Sequence, residues 1–280
     1  MYKILFKQNL VPSIHLMRIA APRVARKARA GQFVVIRLDE KGERIPLTIA
    51  DWDEKEGSIT VVFMEVGTTT SRLAQLGEGD SIADFTGPLG LPAEIENFGT
   101  VVCVAGGVGV APITPIARAL RQAGNRVVSI LGARSKDLLF WEKELGDVSD
   151  RLIVTTDDGS YARKGMVTEP LKELLQGGEE EVGRVIAIGP AIMMKFCAKT
   201  TEPFGVKTIV SLNTIMVDGT GMCGCCRVEV AGETKFVCVD GPDFDGHQVD
   251  WDLLFARQRM YLDEEKSSLE RWQSQCGRHP

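Results

Sequence analysis

A chain of 280 residues is too long for one comfortable core and points to two domains with a smaller appendage. With 44% hydrophobic residues and a formal net charge of −5, it has a globular composition and lacks the basic footprint of a nucleic-acid binder. No apolar run is long enough to span a membrane, and the lysine-bearing start MYKILFKQNL does not read as a signal peptide, so a cytoplasmic protein with no membrane or nucleic-acid partner is expected.

In chain order, residues 1–98 read as strands. YKILF, IHLMRI, QFVVIRL, SITVVF and DSIADF are short, β-branched or aromatic, and bounded by turn residues. Many short strands without helical periodicity predict a β-barrel or sandwich, punctuated by the turn Gly87–Gly90 and Pro92. Within it, Arg44–Ala50 (RIPLTIA) has the pattern of a strand with an edge proline, and Val66–Leu73 (VGTTTSRL) that of a polar turn. The rhythm changes over residues 99–212. TVVCVAG reads as a buried strand, and Ile113, Ile116, Ala117 and Leu120 then recur at helical spacing. Strand RVVSILGAR, a helix near LLFWEKEL, strand RLIVTTDD, helix VTEPLKELLQ, strand RVIAIG, helix PAIMMKFCAKT and strand KTIVSL follow. Such alternation predicts a doubly wound parallel sheet. Residues 213–280 begin with a Gly/Cys-rich stretch and continue from about Asp250 as a charged terminal helix. Phe244, Trp251, Leu253, Leu254, Phe255, Met260 and Tyr261, with Arg257 and Arg259, have the composition of an interface, so this segment is expected to lie outside both domains and meet a partner.

Two motifs carry chemistry on their own. Four of the seven cysteines fall between Cys223 and Cys238, and Asp218, Cys223, Cys226 and Cys238 are spaced D-x4-C-x2-C-x11-C. Plant-type [2Fe–2S] loops are spaced C-x4-C-x2-C…C, because one tight loop must offer three ligands around the cluster. Glycines at 219, 221 and 224 let the backbone turn closely enough. A zinc site or an isolated redox CxxC are the alternatives, although a second zinc-binding pair is missing. Cys225 is a spare thiol in the loop, while Cys103 and Cys197 sit in apolar patterns as core residues. The other motif is the turn VAGGVGVAP, in which a buried strand runs through Gly107 and Gly109 into a helix at Ala111 and Pro112. Helix N-terminal amides would there face a phosphate, although a purely structural turn has the same pattern. Gly132 and Arg134 in LGAR, and Gly189, Pro190 and Met193 in IGPAIMM, fall at the ends of later strands, where parallel sheets bind ligands. None of the three histidines sits in a catalytic constellation, and no catalytic side chain is assigned.

The order of barrel, G-x-G-x-A-P sheet and cysteine loop resembles the ferredoxin–NADP reductase superfamily over roughly residues 1–260. Within it, the chain is similar to the electron-transfer subunits of dihydroorotate dehydrogenases and the small subunits of NADH-dependent reduced ferredoxin:NADP oxidoreductases. The resemblance implies a FAD-binding β-barrel over 1–98, an NAD(P)-binding α/β domain over 99–212, and a [2Fe–2S] module with a partner-binding segment over 213–280. It implies FAD binding by Arg44, Pro46, Leu47, Thr48 and Ile49 and by Val66, Gly67, Thr68 and Thr69, and it adds Asp157 of TTDDGS to the NAD(P) residues. Asp218, where dihydroorotate dehydrogenase subunits carry a cysteine, resembles the electron-bifurcating oxidoreductases, in which one aspartate and three cysteines hold the cluster. The implied function is hydride exchange between NADH and FAD, with single electrons relayed through the cluster to a larger flavoprotein and iron–sulfur subunit. A dihydroorotate dehydrogenase subunit or a sulfide dehydrogenase or sulfur reductase subunit is the alternative. Arg134 nominally suits a 2′-phosphate, whereas the resemblance favours NAD(H) over NADP(H).

Overall fold

The computed structural model describes residues 1–177 and 181–276. Seven antiparallel strands come first: β1 Tyr2–Val11, β2 Ile14–Ala20, β3 Phe33–Arg37, β4 Arg44–Asp53, β5 Ser58–Met64, β6 Ser81–Ile82 and β7 Asp84–Leu89. Their order is β6-β1-β2-β5-β4-β3-β7. The two outermost strands, β6 and β7, are separated in sequence by Ala83 alone, so the sheet has curled back on itself into the expected barrel. Alternation along β5 shows how the sequence does this. Ile59, Val61 and Phe63 fill the barrel, while Val62 points outward and joins the core of the next domain.

Helix α1 (Pro22–Ala25) caps the barrel, and α2 (Thr68–Gln75) lies against it. The polar turn predicted at 66–73 is therefore mostly helical. Thr70 Oγ1 accepts the N–H groups of Val66 and Gly67, and Leu73 is fully buried in the barrel, so packing overrides a threonine-rich sequence.

The second sheet contains β8 Thr100–Gly106, β9 Arg126–Ala133, β10 Arg151–Thr156, β11 Arg163–Lys164, β12 Val182–Ile188 and β13 Thr208–Ser211. Helices α3 (Val110–Gln122), α4 (Glu142–Asp147), α5 (Thr168–Gln176) and α6 (Ala191–Thr201) alternate with them. The helix expected near LLFWEKEL begins only at Glu142. Phe140 is drawn into the core and Trp141 takes a left-handed φ of 55°, which breaks the helix before it.

Residues 212–242 leave this sheet and return to it. They carry the hairpin β14 (Arg227–Val230) and β15 (Glu233–Phe236) and the turn of helix α7 (Val237–Asp240). Strand β16 (Asp243–Asp245) then pairs antiparallel with β13, and Leu212 N–H donates to Pro242 C=O at 2.9 Å where the excursion closes. The completed order is β11-β10-β9-β8-β12-β13-β16, parallel except for β16, and it reverses direction between β8 and β12. Helices α8 (Trp251–Gln258) and α9 (Leu262–Cys276) end the described chain, replacing the single terminal helix expected.

That terminal segment is not the free interface its composition suggests. Phe244, Trp251 and Leu254 are buried with Val210, Val228 and Val249 in one core, and Arg257 donates to the Cys225 carbonyl of the cysteine loop at 2.9 Å. Buried cores and interfaces draw on the same aromatic residues, so composition alone does not separate them. Leu253, Met260 and Tyr261 do remain exposed. Barrel and sheet meet through α3 and β4, where Arg118 makes a two-pronged ion pair with Asp51, at 2.9 and 3.3 Å. No described helix is long and apolar enough to cross a membrane.

Candidate cofactor sites

The glycines of the β8–α3 turn divide by what surrounds them. A Cβ at Gly109 would stand 2.1 Å from the Ile188 carbonyl oxygen, and one at Gly106 would stand 2.3 Å from Met193 Sδ. One at Gly189 would meet Met193 Cε at 2.8 Å. These glycines let β8, β12 and α6 close on one another. Gly107 differs: its φ is +54° and nothing lies within 4 Å of the space a Cβ would take, so its backbone is open to a ligand. Ala111 and Pro112 lie in the first turn of α3.

Along the same edge, Gly106 pairs with Gly132, and Asp157 N–H donates to Ala133 C=O, bringing Arg134 and Asp157 to one rim. Thr155 Oγ1 is buried without a hydrogen-bond partner among the described residues, 3.3 Å from where a Gly132 Cβ would stand. An open glycine and helix amides at the switch between β8 and β12 fit a nucleotide. Of the two methionines in IGPAIMM, Met193 covers the glycine turn while Met194 is core.

On the barrel, Pro46, Leu47 and Thr48 are half-buried on β4, Ile49 is buried, and Arg44 is exposed at the strand's start. Val66–Thr69 stand beside that start: Thr69 Oγ1 donates to Glu43 Oε2 at 2.7 Å. Glu43 carried no sequence signal. The space next to Gly67 is open, and the first-turn N–H groups of Thr68 and Thr69 have no partner within the helix, so an anion with several acceptor oxygens fits there.

The cysteine loop brings one pair of thiols together and ties the Asp218 carboxylate to the loop backbone. Cys226 Sγ lies 3.2 Å from Cys238 Sγ, both buried. Asp218 Oδ2 accepts the Cys223 N–H at 3.0 Å, and Oδ1 accepts the Thr220 N–H at 3.0 Å. The loop N–H groups, that of Thr220 foremost, hold the Asp218 carboxyl below its usual range. The N–H of Cys225 lowers the Cys223 thiol, whereas the Cys223 thiol raises that of Cys225; burial pushes Cys238 up to about 12.

Gly219, Gly221 and Gly224 all have positive φ, so the loop winds as their placement predicts. Among the described residues no three His, Cys, Asp or Glu side chains converge on one point. A D-x4-C-x2-C-x11-C loop without a second CxxC suits a [2Fe–2S] cluster better than a structural zinc site. Cys103 and Cys197 are fully buried and pushed up to about 12 by that burial, which leaves them inert core thiols. The loop also touches the barrel: a Cβ at Gly219 would stand 2.8 Å from Leu89 Cδ1 and 2.9 Å from Val35 Cγ2. Val35 pairs with Pro46.

Comparison with known proteins gives two family matches. Residues 213–250 match the iron-sulfur cluster binding domain of dihydroorotate dehydrogenase B, and residues 103–199 match the oxidoreductase NAD-binding domain. A Thermotoga maritima protein, a homolog of the dihydroorotate dehydrogenase B (NAD(+)) electron transfer subunit, is 51% identical, covering 98% of this chain and 96% of its own. The Desulforamulus reducens electron transfer subunit is 31% identical over 89% of this chain. A chain from the solved NADH-dependent reduced ferredoxin-NADP oxidoreductase, studied for flavin-based electron bifurcation, is 51% identical with a TM-score of 0.92, covering 97% of this chain and 98% of that one. A Neisseria gonorrhoeae ferredoxin NADP+ reductase with bound FAD and NADP, 22% identical with a TM-score of 0.62, shares the fold.

Proposed function

Because the chain belongs to the family of dihydroorotate dehydrogenase B electron-transfer subunits, we propose that it is the NADH-reactive subunit of a flavin-based electron-bifurcating ferredoxin–NADP oxidoreductase. It binds FAD on the barrel, NAD(H) on the parallel sheet and a [2Fe–2S] cluster in the cysteine loop, and it works with a larger flavoprotein and iron–sulfur subunit. When bound, these cofactors supply hydride exchange on one side and one-electron transfer on the other.

The chain's own residues hold and orient. Gly107 and the first turn of α3 receive the nucleotide's phosphates, with Gly132, Arg134, Asp157 and the Gly189–Met193 turn along its rim. Pro46–Ile49 border the flavin, and Val66–Thr69 receive its diphosphate. Asp218, Cys223, Cys226 and Cys238 would hold the cluster. A carboxylate in place of the first cysteine favours the bifurcating complex over a dihydroorotate-oxidising one, and as a harder ligand than thiolate it tunes the cluster's potential.

The observation that carries this reading is the seating of the cysteine loop on the barrel, with Gly219 against Val35 and Leu89, one strand from Pro46. The flavin and cluster stations thus abut within one chain. Around the loop, Met222 is 88% exposed and Val217 and Val239 are partly exposed, an apolar rim suited to the larger subunit.

Anaerobic titration of the purified chain with NADH and with NADPH, followed by visible and electron paramagnetic resonance spectra, tests it. NADH should bleach a flavin band and bring up a reduced-cluster signal, with about equal iron and acid-labile sulfide. A preparation carrying zinc and no flavin would end the proposal.

A further inference from the structure

Helix α9 is held to the rest of the molecule mainly through α2. Of its described side chains only Ser268, Leu269 and Trp272 are even half-buried; the rest face solvent. A helix of 15 residues is marginal on its own in water, so this thin strip must fix it. The strip ends at a particular place. Ser268 Oγ and Thr68 Oγ1 are 3.0 Å apart, at the first turn of α2 and 200 residues away in sequence. When two hydroxyls share one hydrogen bond, one of them keeps a proton to give elsewhere. That proton stands beside the first-turn N–H groups of Thr68 and Thr69 and the open side of Gly67. The nearby carboxylate, Glu43, already accepts from Thr69 Oγ1. The place therefore offers donors to a multivalent anion.

The other end of the same segment is tied to the cysteine loop. Arg257 and Gln258, at the end of α8, donate to the carbonyls of Cys225 and Asn213. From Gln258 the chain reaches Ser268, beside the start of α2, within 10 residues.

We propose that α9 is a clasp over the FAD diphosphate, with Ser268 a binding residue that joins Thr68 and Thr69 on that group. The proposal rests on the assignment of FAD to Val66–Thr69 given above. Release of FAD then requires α9 to lift, and a charge placed at position 268 acts directly on the diphosphate.

The test is the rate at which FAD leaves the full-length holoprotein on dilution, followed by the rise in free-flavin fluorescence. Ser268→Asp should speed release roughly tenfold and Ser268→Lys should slow it several-fold, with the gap narrowing as salt is raised. Gln273→Asp and Gln273→Lys, on the exposed outer face of α9, control for net charge and should leave the rate within about twofold. Acceleration by both charges at 268, or equal responses at 268 and 273, would overturn the proposal and reduce α9 to a brace. If wild-type chain carrying its iron and sulfide holds no FAD, the flavin assignment itself fails, and the clasp falls with it.

Discussion

Gly107 and Gly109 stand two residues apart and answer to different constraints. Gly109→Ala would press a methyl group into the Ile188 carbonyl, a contact that neither backbone can relieve cheaply. A loss of about 3 kcal/mol in denaturant unfolding is expected. Gly107→Ala meets no neighbour and carries only the penalty of its positive φ, about 1 kcal/mol. Its cost should fall on NADH instead, as a raised KM for flavin reduction with the fold intact. Comparing unfolding curves with NADH kinetics for the two variants checks the division. The sequence marks this turn as glycine-rich. It does not say which glycine faces the ligand, because that depends on β12 and α6, brought alongside from some 80 residues further on.

Strand β16 is the least legible element. Its three residues show no useful periodicity, and it pairs with β13 only after the chain has made the whole cysteine excursion. Its first residue carries a consequence for pH. Asp243 is half-buried as a residue, but its carboxyl end is enclosed and Oδ1 has no partner among the described residues. Burial pushes that carboxyl up to about 6, with the Ser211 hydroxyl pulling the other way. The fold thus favours the protonated acid. The stability this contributes is complete below the ordinary Asp range near pH 4 and is lost as pH rises through about 6. Asp243→Asn, which stays neutral, should raise the Tm at pH 7.5, by an amount equivalent to on the order of 2 kcal/mol, and change little at pH 4. A melting series from pH 4 to 8 decides it; a pH-independent difference would mean that Asp243 ionises freely in the fold.

Over the whole molecule, what the sequence discloses is what repeats or clusters locally. Barrel strands, alternating strands and helices, and the ligand spacing each leave their own period. Contacts across great sequence distances leave none. Asp51 reaches Arg118 across the domain boundary, Gly219 seats on Val35 and Leu89, and Ser268 meets Thr68, yet nothing in the flanking residues announces any of these partners. The closing of the cysteine excursion belongs to the same class. Leu212 and Pro242 join its two ends, and Val228, Val230 and Val237 pack into the core with Phe33. Small zinc domains, by contrast, fold only when metal arrives. Stripping the cluster with a chelator should therefore leave the far-ultraviolet circular dichroism and the unfolding midpoint close to those of the loaded chain. A collapse of either would show that iron helps to build the scaffold. If both hold, the excursion is closed by protein contacts, and a folded chain can receive its cluster afterwards, as a late step of maturation.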